Sequence, residues 1–561
     1  MLVEIQCDKF MTHNKQRKPI RFHPGLNVVI GDDNGSNSIG KSTFLMILDF
    51  VFGGTDYVKK CTDVQENVKE HTINFTFEFD GHLYHFARNT IHYQDIIRCD
   101  SNYVPLLNEK PMTVQSYGEF LSDKYGLTAP GLKWRGAISR FIRVYKRDTL
   151  DVEHPLQTHK NEKAADSIKS YMRLLNRYAV VEKQINQAAD AKDEKEAFRK
   201  TTLKYNHIPA AKNERQKAEN ESRIAELEEQ EKKLDTNNSQ GLLDLDSMTA
   251  YKISFLKEKL VKFRRQQALV QSQLTDVRRD MTGKRRSFKR TFTELEHFFP
   301  NENFRALEEI EKFHQQLSKI LSEEFAETEK DLVTTDNLLT IEIKGLEKEI
   351  TDIKEIPNVS DAILKEFAKI STEINNLREA NKNFDELNRL NKIADDYAKT
   401  RDAVTRDQLL SIEFELNHEM SKISLRILND SSHLPPVIHL ERMDKYTFHT
   451  PNDGGTGAET RGLITFDLAN LNISSIPFLV HDSLLLKNIE KPVFSRIIDV
   501  YDQQKENGKQ VFMAYDTLDS YNPSTRQLIE KNAVLELSPG GNELFGWAWN
   551  KEKQDDETKQ K

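Results

Sequence analysis

The stretch LNVVIGDDNGSNSIGKSTFLMIL, from Leu26 to Leu48, decides how the rest of the chain is read. It opens with the apolar β-type run Leu26 to Ile30, crosses a polar glycine-rich turn and continues into an apolar segment of helical spacing, so it predicts strand, loop and helix. Within it, Gly35-Ser36-Asn37-Ser38-Ile39-Gly40-Lys41-Ser42 satisfies G-x-x-x-x-G-K-[ST], the phosphate-binding loop, and Thr43 continues it into the helix. Each residue type has a reason. Glycines let backbone N–H groups converge on phosphate oxygens, the Lys41 ammonium reaches the β and γ phosphates, and the Ser42 hydroxyl is a ligand for Mg²⁺. The expected ligands are therefore ATP and Mg²⁺. An anion is also favoured at the N-terminus of the following helix.

Outward from this loop, composition sets bounds. The 561 residues are 30% charged and 37% hydrophobic, with only 22 glycines, and the middle of the chain is rich in Glu, Lys, Leu, Asn and Gln. That suits long helices better than several separate cores. A formal net charge of −8 argues against a general nucleic-acid binder, so any DNA contact has to come from local basic patches. Three cysteines, Cys7, Cys61 and Cys99, supply no disulfide framework and no C-x-x-C pair, as expected of a reduced, cytoplasmic protein. No apolar run approaches the roughly 20 residues needed to span a bilayer, so no membrane association is expected.

Before the loop, Leu2 to Cys7 predicts a strand. After it, Thr72 to Phe79 alternates with period two, Asp80-Gly81 supplies a turn and His82 to Arg88 alternates again, which predicts a hairpin. Trp134 to Arg147 (WRGAISRFIRVYKR) is apolar on one side and carries Arg135, Arg140, Arg143, Lys146 and Arg147. Its two readings are a surface for phosphate backbones and a solvated helix face.

Seam spacing then takes over. Leu256, Leu260, Phe263, Gln267, Val270, Leu274 and Val277 step by four and three, as do Leu339, Ile343, Leu346, Ile350 and Ile353, and Ile363, Phe367, Ile370, Ile374 and Leu377. The strongest turn, Phe298 to Asn303 around Pro300, predicts one antiparallel hairpin of two arms. Fully helical arms of roughly 130 residues would reach at most roughly 190 Å. Breaks at Leu234 to Asp246 and Glu355 to Ser360 lie at matching distances from that turn, predicting a joint in both strands of the rod or a folded-back tip. A basic cluster, Lys284, Arg285, Arg286, Lys289 and Arg290, lies near the tip, which has no cysteine to ligate zinc.

Past the arms, Val437 to Leu440 and Tyr446 to Phe448 predict short strands, followed by the polar loop Gly454-Gly455-Thr456-Gly457 and a helix from Arg461 to Leu471. Ile476 to Asp482 is an apolar strand ending in a carboxylate, the form of a Walker B element, in which Asp482 would hold the nucleotide's Mg²⁺ with Ser42. Two nucleotide-binding elements at opposite ends of a chain, with a coiled-coil hairpin between them, predict an α/β head assembled from both ends.

The opening run Gly25 to Gly31 followed by Asn37-x-x-Gly40-Lys41-Ser42, the paired arms and the Walker B strand resemble the SMC/RecN/RecF-type branch of ABC ATPases. More narrowly, Phe466-Asp467-Leu468-Ala469, His481-Asp482-Ser483 and the Phe299-Pro300 to Phe313-His314 stretch resemble the ATPase subunits of bacterial ABC-three-component conflict systems. The resemblance implies an ABC-type P-loop ATPase head with a long antiparallel coiled-coil insertion. It divides the chain into 1–160 (N-terminal half of the head), 161–297 (ascending arm), 298–304 (apex turn), 305–430 (descending arm), 431–548 (C-terminal half of the head) and 549–561 (disordered tail).

It also implies that Gly454 to Gly457 is a signature-like loop covering the γ-phosphate on a second copy, so that ATP joins two heads in a homodimer, with Lys41 and Asp482 at the catalytic centre. The implied function is ATP-dependent head dimerisation driving a DNA-associated process such as genome maintenance, DNA repair or antiviral defence. The alternative is a nucleotide-gated sensor with weak hydrolysis that controls a separate effector protein. Four departures bear on that choice: the Gly454 to Gly457 loop lacks the family's usual serine-glycine-glycine form, and three more lie at single positions. Ser483 stands where the family carries its water-polarising glutamate, leaving Asp516 as a substitute carboxylate; Tyr515 stands at the switch histidine; and the Q-loop glutamine has only Gln94 and Gln115 as candidates.

Overall fold

A computed structural model describes the chain apart from residues 33–37, 108, 205–208, 237–251, 276, 279–303, 353–360, 431–432, 516–521 and 550–561. The apex turn, the basic cluster near it, both breaks that flank the tip and Asp516 therefore lie wholly or largely outside the described residues. The described chain divides into two compact units, Met1–Lys183 with Asp402–Lys561, and Gln184–Arg401.

The first unit is built on two sheets. A five-stranded parallel sheet runs in the order Ile142–Arg143, Phe478–His481, Gln510–Tyr515, Gly25–Ile30, Ala533–Glu536. The loop-bearing strand Gly25–Ile30 is buried along its whole length, as near-continuous apolar strands of parallel sheets are. Both of its neighbours come from the far end of the chain: Val28 pairs with Met513 on one side and with Ala533 on the other. One head made from both ends is thus the observed architecture. The helix that follows the loop, Lys41–Val51, is apolar on nearly every side and correspondingly buried.

A six-stranded antiparallel sheet lies in the order Ile20–Arg21, Leu2–Gln6, Thr72–Phe79, His82–Asn89, Asp95–Cys99, Met112–Thr113. The expected hairpin pairs Phe79 with His82, and both turn residues, Asp80 at φ 52° and Gly81 at φ 74°, take the left-handed backbone that such two-residue turns require. Phe52, just past the loop helix, stacks on Phe478 with ring centroids 3.9 Å apart, so the core itself joins the two ends. This unit extends beyond residue 160 because the helix Ala164–Leu174 packs into it: Tyr171 donates to Asn470 Oδ1 at 2.7 Å, and Arg140 to the Ser167 carbonyl at 3.3 Å. Trp549, placed at the start of the tail by sequence, packs on Phe545 and Trp547.

The second unit is helical. Leu256, Leu260, Phe263 and Val270 form one core with Leu339, Ile343 and Leu346, and Leu227 forms another with Ile370 and Ile374, so the seams pair antiparallel about the tip. The hairpin is also folded back. Lys259 pairs with Glu379 at 2.5 Å and Lys200 with Asp331 at 2.6 Å, contacts that a straight rod would hold far apart. Among the described residues no helix is long and apolar enough to cross a membrane.

Candidate functional site

At the C-terminal edge of the parallel sheet, where open α/β sheets bind ligands, lies a cleft of ≈ 330 Å³. Ser38, Ile39, Gly40, Lys41, Ser42 and Thr43 line one side, and Asp482 and Ser483 another. The strand order explains the meeting. Gln510–Tyr515 separates the loop strand from Phe478–His481 by one position, so both open onto the same edge. Ser42 Oγ donates to Asp482 Oδ1 at 3.0 Å across 440 residues of sequence. Asp482 is almost wholly buried; its Oδ2 accepts from the Tyr145 N–H at 2.9 Å, and Ser483 Oγ donates to Oδ1 at 3.3 Å. Lys41 is 8% exposed at the first turn of its helix. Gly35, Ser36 and Asn37 lie outside the described residues.

The loop's backbone is fixed from the C-terminal end. Leu544 N–H donates to the Ile39 carbonyl at 3.0 Å, and a Cβ on Gly40 would lie 2.5 Å from that of Leu544. Gly40 also has φ 103°, a conformation that L side chains rarely adopt. A Gly40→Ala chain is therefore expected to lose about 2–3 kcal/mol of stability, from strain plus overpacking. Chemical denaturation checks this, and an unchanged midpoint would refute it.

Gly454 to Gly457 are placed elsewhere. Gly455 caps the helix Thr456–Ile473, Gly454 has open space around it, and Gly457 packs against the Asn488 carbonyl. Gly454 lines a separate cleft of ≈ 250 Å³ with His154, Tyr446, His449 and Glu459. The loop is held by Arg461, which pairs with Asp453 at 3.0 Å. Within one chain these glycines do not join the cleft of Lys41.

The basic segment Trp134 to Arg147 corrects both of its sequence readings. Its helix ends at Ile138, and Arg140, Arg143 and Arg147 point inward and are buried. Arg143 binds Asp467 through two nitrogens, Nε to Oδ2 at 2.9 Å and Nη2 to Oδ1 at 2.8 Å. Arg135 and Arg147 converge on Asp49 of the loop helix. Burial alone would raise both carboxyls, but the guanidinium partners outweigh it and hold Asp467 and Asp49 below the usual carboxylate range. His481, one residue before Asp482, sits 3.1 Å from Asp467 Oδ2 and on its other side meets the Tyr501 hydroxyl. Asp467 and His481, singled out above by resemblance, are parts of this buried network.

Sequence reasoning did not place Cys61, Asp63, Tyr145, Lys146 and Lys487 at the cleft, nor the apolar Met46 and Leu484, all of which line it. Lys146 Nζ donates to Asp63 Oδ1 at 2.9 Å. Tyr145 and Lys146 come one residue after the short strand Ile142–Arg143, which pairs with the Walker B strand as no local pattern reveals. The glutamine candidates lie away from the cleft: Gln115 is exposed and bonds Glu119 at 3.0 Å, and the Gln94 carbonyl accepts from the Val114 N–H. Tyr515 is buried and stacks on Phe494, with centroids 4.6 Å apart.

Strand order, loop and aspartate together define an α/β P-loop head assembled from both ends of the chain and split by a helical insertion. Comparisons with known proteins fall on both ends of that head. Residues 4–240 match the model of an AAA domain, and residues 410–549 match a family described as an uncharacterised protein conserved in bacteria (DUF2326). Similar solved structures include an Smc head domain with a coiled coil and joint from Pyrococcus yayanosii, 14% identical over 97% of this chain and 95% of that one, with a TM-score of 0.43. An Smc head with an extended coiled coil from Pyrococcus furiosus, bound to the C-terminal domain of ScpA, is 10% identical over 97% and 94%, with a TM-score of 0.33. At these scores the overlays add nothing to the strand order. No curated protein matches the chain.

Proposed function

We propose that this protein is a nucleotide-gated switch: the head binds ATP with Mg²⁺, two nucleotide-bound heads associate, and the change acts on a separate effector protein. The observation that carries the reading is the Ser42–Asp482 contact. Two oxygen ligands in neighbouring positions of a Mg²⁺ octahedron of 2.0–2.1 Å radius lie about 2.9 Å apart, and Ser42 Oγ and Asp482 Oδ1 are 3.0 Å apart. The donor set is all oxygen, as Mg²⁺ prefers. When bound, the ion would neutralise phosphate charge; Ser42 and Asp482 would hold it, and Lys41 and the loop N–H groups would orient the phosphates. The Gly454 to Gly457 loop, open on its own head, would close the site from a second copy.

Two features favour a sensor over a DNA-driven motor. Ser483 cannot polarise water as a carboxylate does, which predicts slow turnover. Of the arginines that offered a DNA surface, Arg135, Arg143 and Arg147 pair with buried aspartates and Arg140 donates to the carbonyls of Gly136 and Ser167. Solution mass measured with and without a slowly hydrolysed ATP analogue tests the switch: a nucleotide-dependent dimer is expected, and one mass under both conditions overturns it. Turnover that rises with added DNA would restore the DNA-associated reading in genome maintenance or defence. Ser483→Glu is expected to raise phosphate release roughly 100-fold, the scale of general-base catalysis. Turnover already fast with Ser483 and unmoved by the change would overturn the slow-switch reading.

A further inference from the structure

The cleft has a second wall, away from Lys41 and Asp482. Asp63 lines it, takes the Lys146 ammonium on one side and has the Trp549 side chain beside it on the other. The segment bearing that indole is anchored on the phosphate-binding loop through Leu544, as described above. Gly546, at φ 82°, then turns the chain against Met11 and leads into Trp547 and Trp549. The two indoles meet edge to face, centroids 5.4 Å apart, and Trp547 is 41% exposed. The chain has three tryptophans; Trp134 is buried, and the other two stand together here.

A large amphipathic ring left partly in water beside a polar cleft is costly unless it meets a flat partner. The π face of a nucleobase is such a partner, and stacking on it needs no particular hydrogen-bond pattern. The Asp63 carboxylate, which only accepts hydrogen bonds, suits the ribose hydroxyls next to that base. We propose that Trp547 and Trp549, with Asp63 at their edge, form the base-binding subsite of this cleft and take the purine of a nucleoside triphosphate. The inference rests on the nucleotide reading above and extends it from the phosphates to the base.

Titration of the full chain with Mg-ATP and, separately, with inorganic tripolyphosphate and Mg²⁺ tests the two readings apart. ATP is expected to quench tryptophan fluorescence and tripolyphosphate to leave it unchanged. Trp549→Ala should weaken ATP binding about 10-fold or more, on the scale of base–aromatic stacking, with tripolyphosphate binding intact. Trp549→Phe should restore most of the ATP affinity. If ATP binds but quenches nothing, or binds Trp547→Ala and Trp549→Ala as it binds the parent chain, the base subsite is overturned and the phosphate site stands. If the parent chain binds neither ligand, both readings fall. Should Trp549→Ala also lose tripolyphosphate, signalling a disturbed fold, the quench in the parent chain and the Trp547→Ala affinity decide.

Discussion

Asp467→Ala is expected to lower the stability of the head by about 3–5 kcal/mol, the cost of leaving one partner of a buried ion pair without the other. Arg143 and Asp467 have no exposed side-chain surface, and Arg143 directs two further donors at the carbonyls of Thr149 and Pro155. Without Asp467 the guanidinium keeps those carbonyls but loses its counter-charge, and His481 loses the oxygen at its Nε2. The damage should reach the nucleotide cleft, because the Arg143 carbonyl accepts from the Asp482 N–H at 2.9 Å and Tyr145, two residues on, binds the Asp482 carboxylate. Denaturant unfolding and Mg²⁺-dependent nucleotide binding should therefore fail together. Replacing both partners by apolar residues, Arg143→Met with Asp467→Leu, is expected to recover much of the loss, since paired removal of buried charges is often close to neutral. A double variant as unstable as the single one would refute this account. The sign with pH follows from the lowered folded-state value of Asp467. Its contribution is fully present above the unfolded carboxylate value of about 3.9 and is lost as pH falls through the lower folded one.

Lys41→Ala is expected to weaken ATP binding by about 100-fold or more and to abolish nucleotide-dependent association of heads while leaving the fold intact. The magnitude follows from losing two charge-assisted hydrogen bonds to phosphate at about 1.5–3 kcal/mol each. Lys41 lies at the first turn of a helix whose other residues carry the packing, so a methyl group there should cost little stability. Calorimetric titration and solution mass provide the readouts. Asp482→Asn should behave differently: it keeps the shape but weakens the metal, so ATP without Mg²⁺ should bind it almost as it binds the parent chain. Nucleotide-dependent association that survives Lys41→Ala would overturn the site.

What could be read from the chain follows the range of the interactions. The loop, its strand and helix, and the hairpin at Asp80-Gly81 are specified by neighbours in sequence, and their residue types announce them. The seams were legible because a coiled coil repeats its partner's spacing, so Leu256 to Val270 and Leu339 to Leu346 carry the same period. The matched breaks at Leu234 to Asp246 and Glu355 to Ser360 announced a joint or a folded-back tip, but not which surfaces meet, since those contacts rest on scattered pairs such as Lys259 with Glu379 that have no period. The segment Trp134 to Arg147 misled for a related reason. Counting its charges predicts a surface, yet their partners Asp49 and Asp467 lie about 90 residues upstream and more than 300 downstream, as the separations of 86 and 324 show. A charge does not declare its burial until its counter-charge is found. The same holds for Tyr145 and Lys146, which reach the cleft through strand order, and for Asp63, which meets Lys146 across 83 residues of sequence.

The placement of Gly25–Ile30 between two strands from the last tenth of the chain has a consequence for how the protein is made. At about 5–20 residues per second, a ribosome that has finished this strand needs roughly half a minute to a minute and a half to deliver its neighbours. Until then this strand, buried along its whole length in the finished head, has both edges unpaired, the condition in which nascent sheets aggregate. The helical insertion can fold in that interval, because residues 184–401 form a compact unit of their own. A chain cut short between Arg401 and Gln510 would therefore carry finished arms and an unfinished head, and should require a chaperone or be degraded.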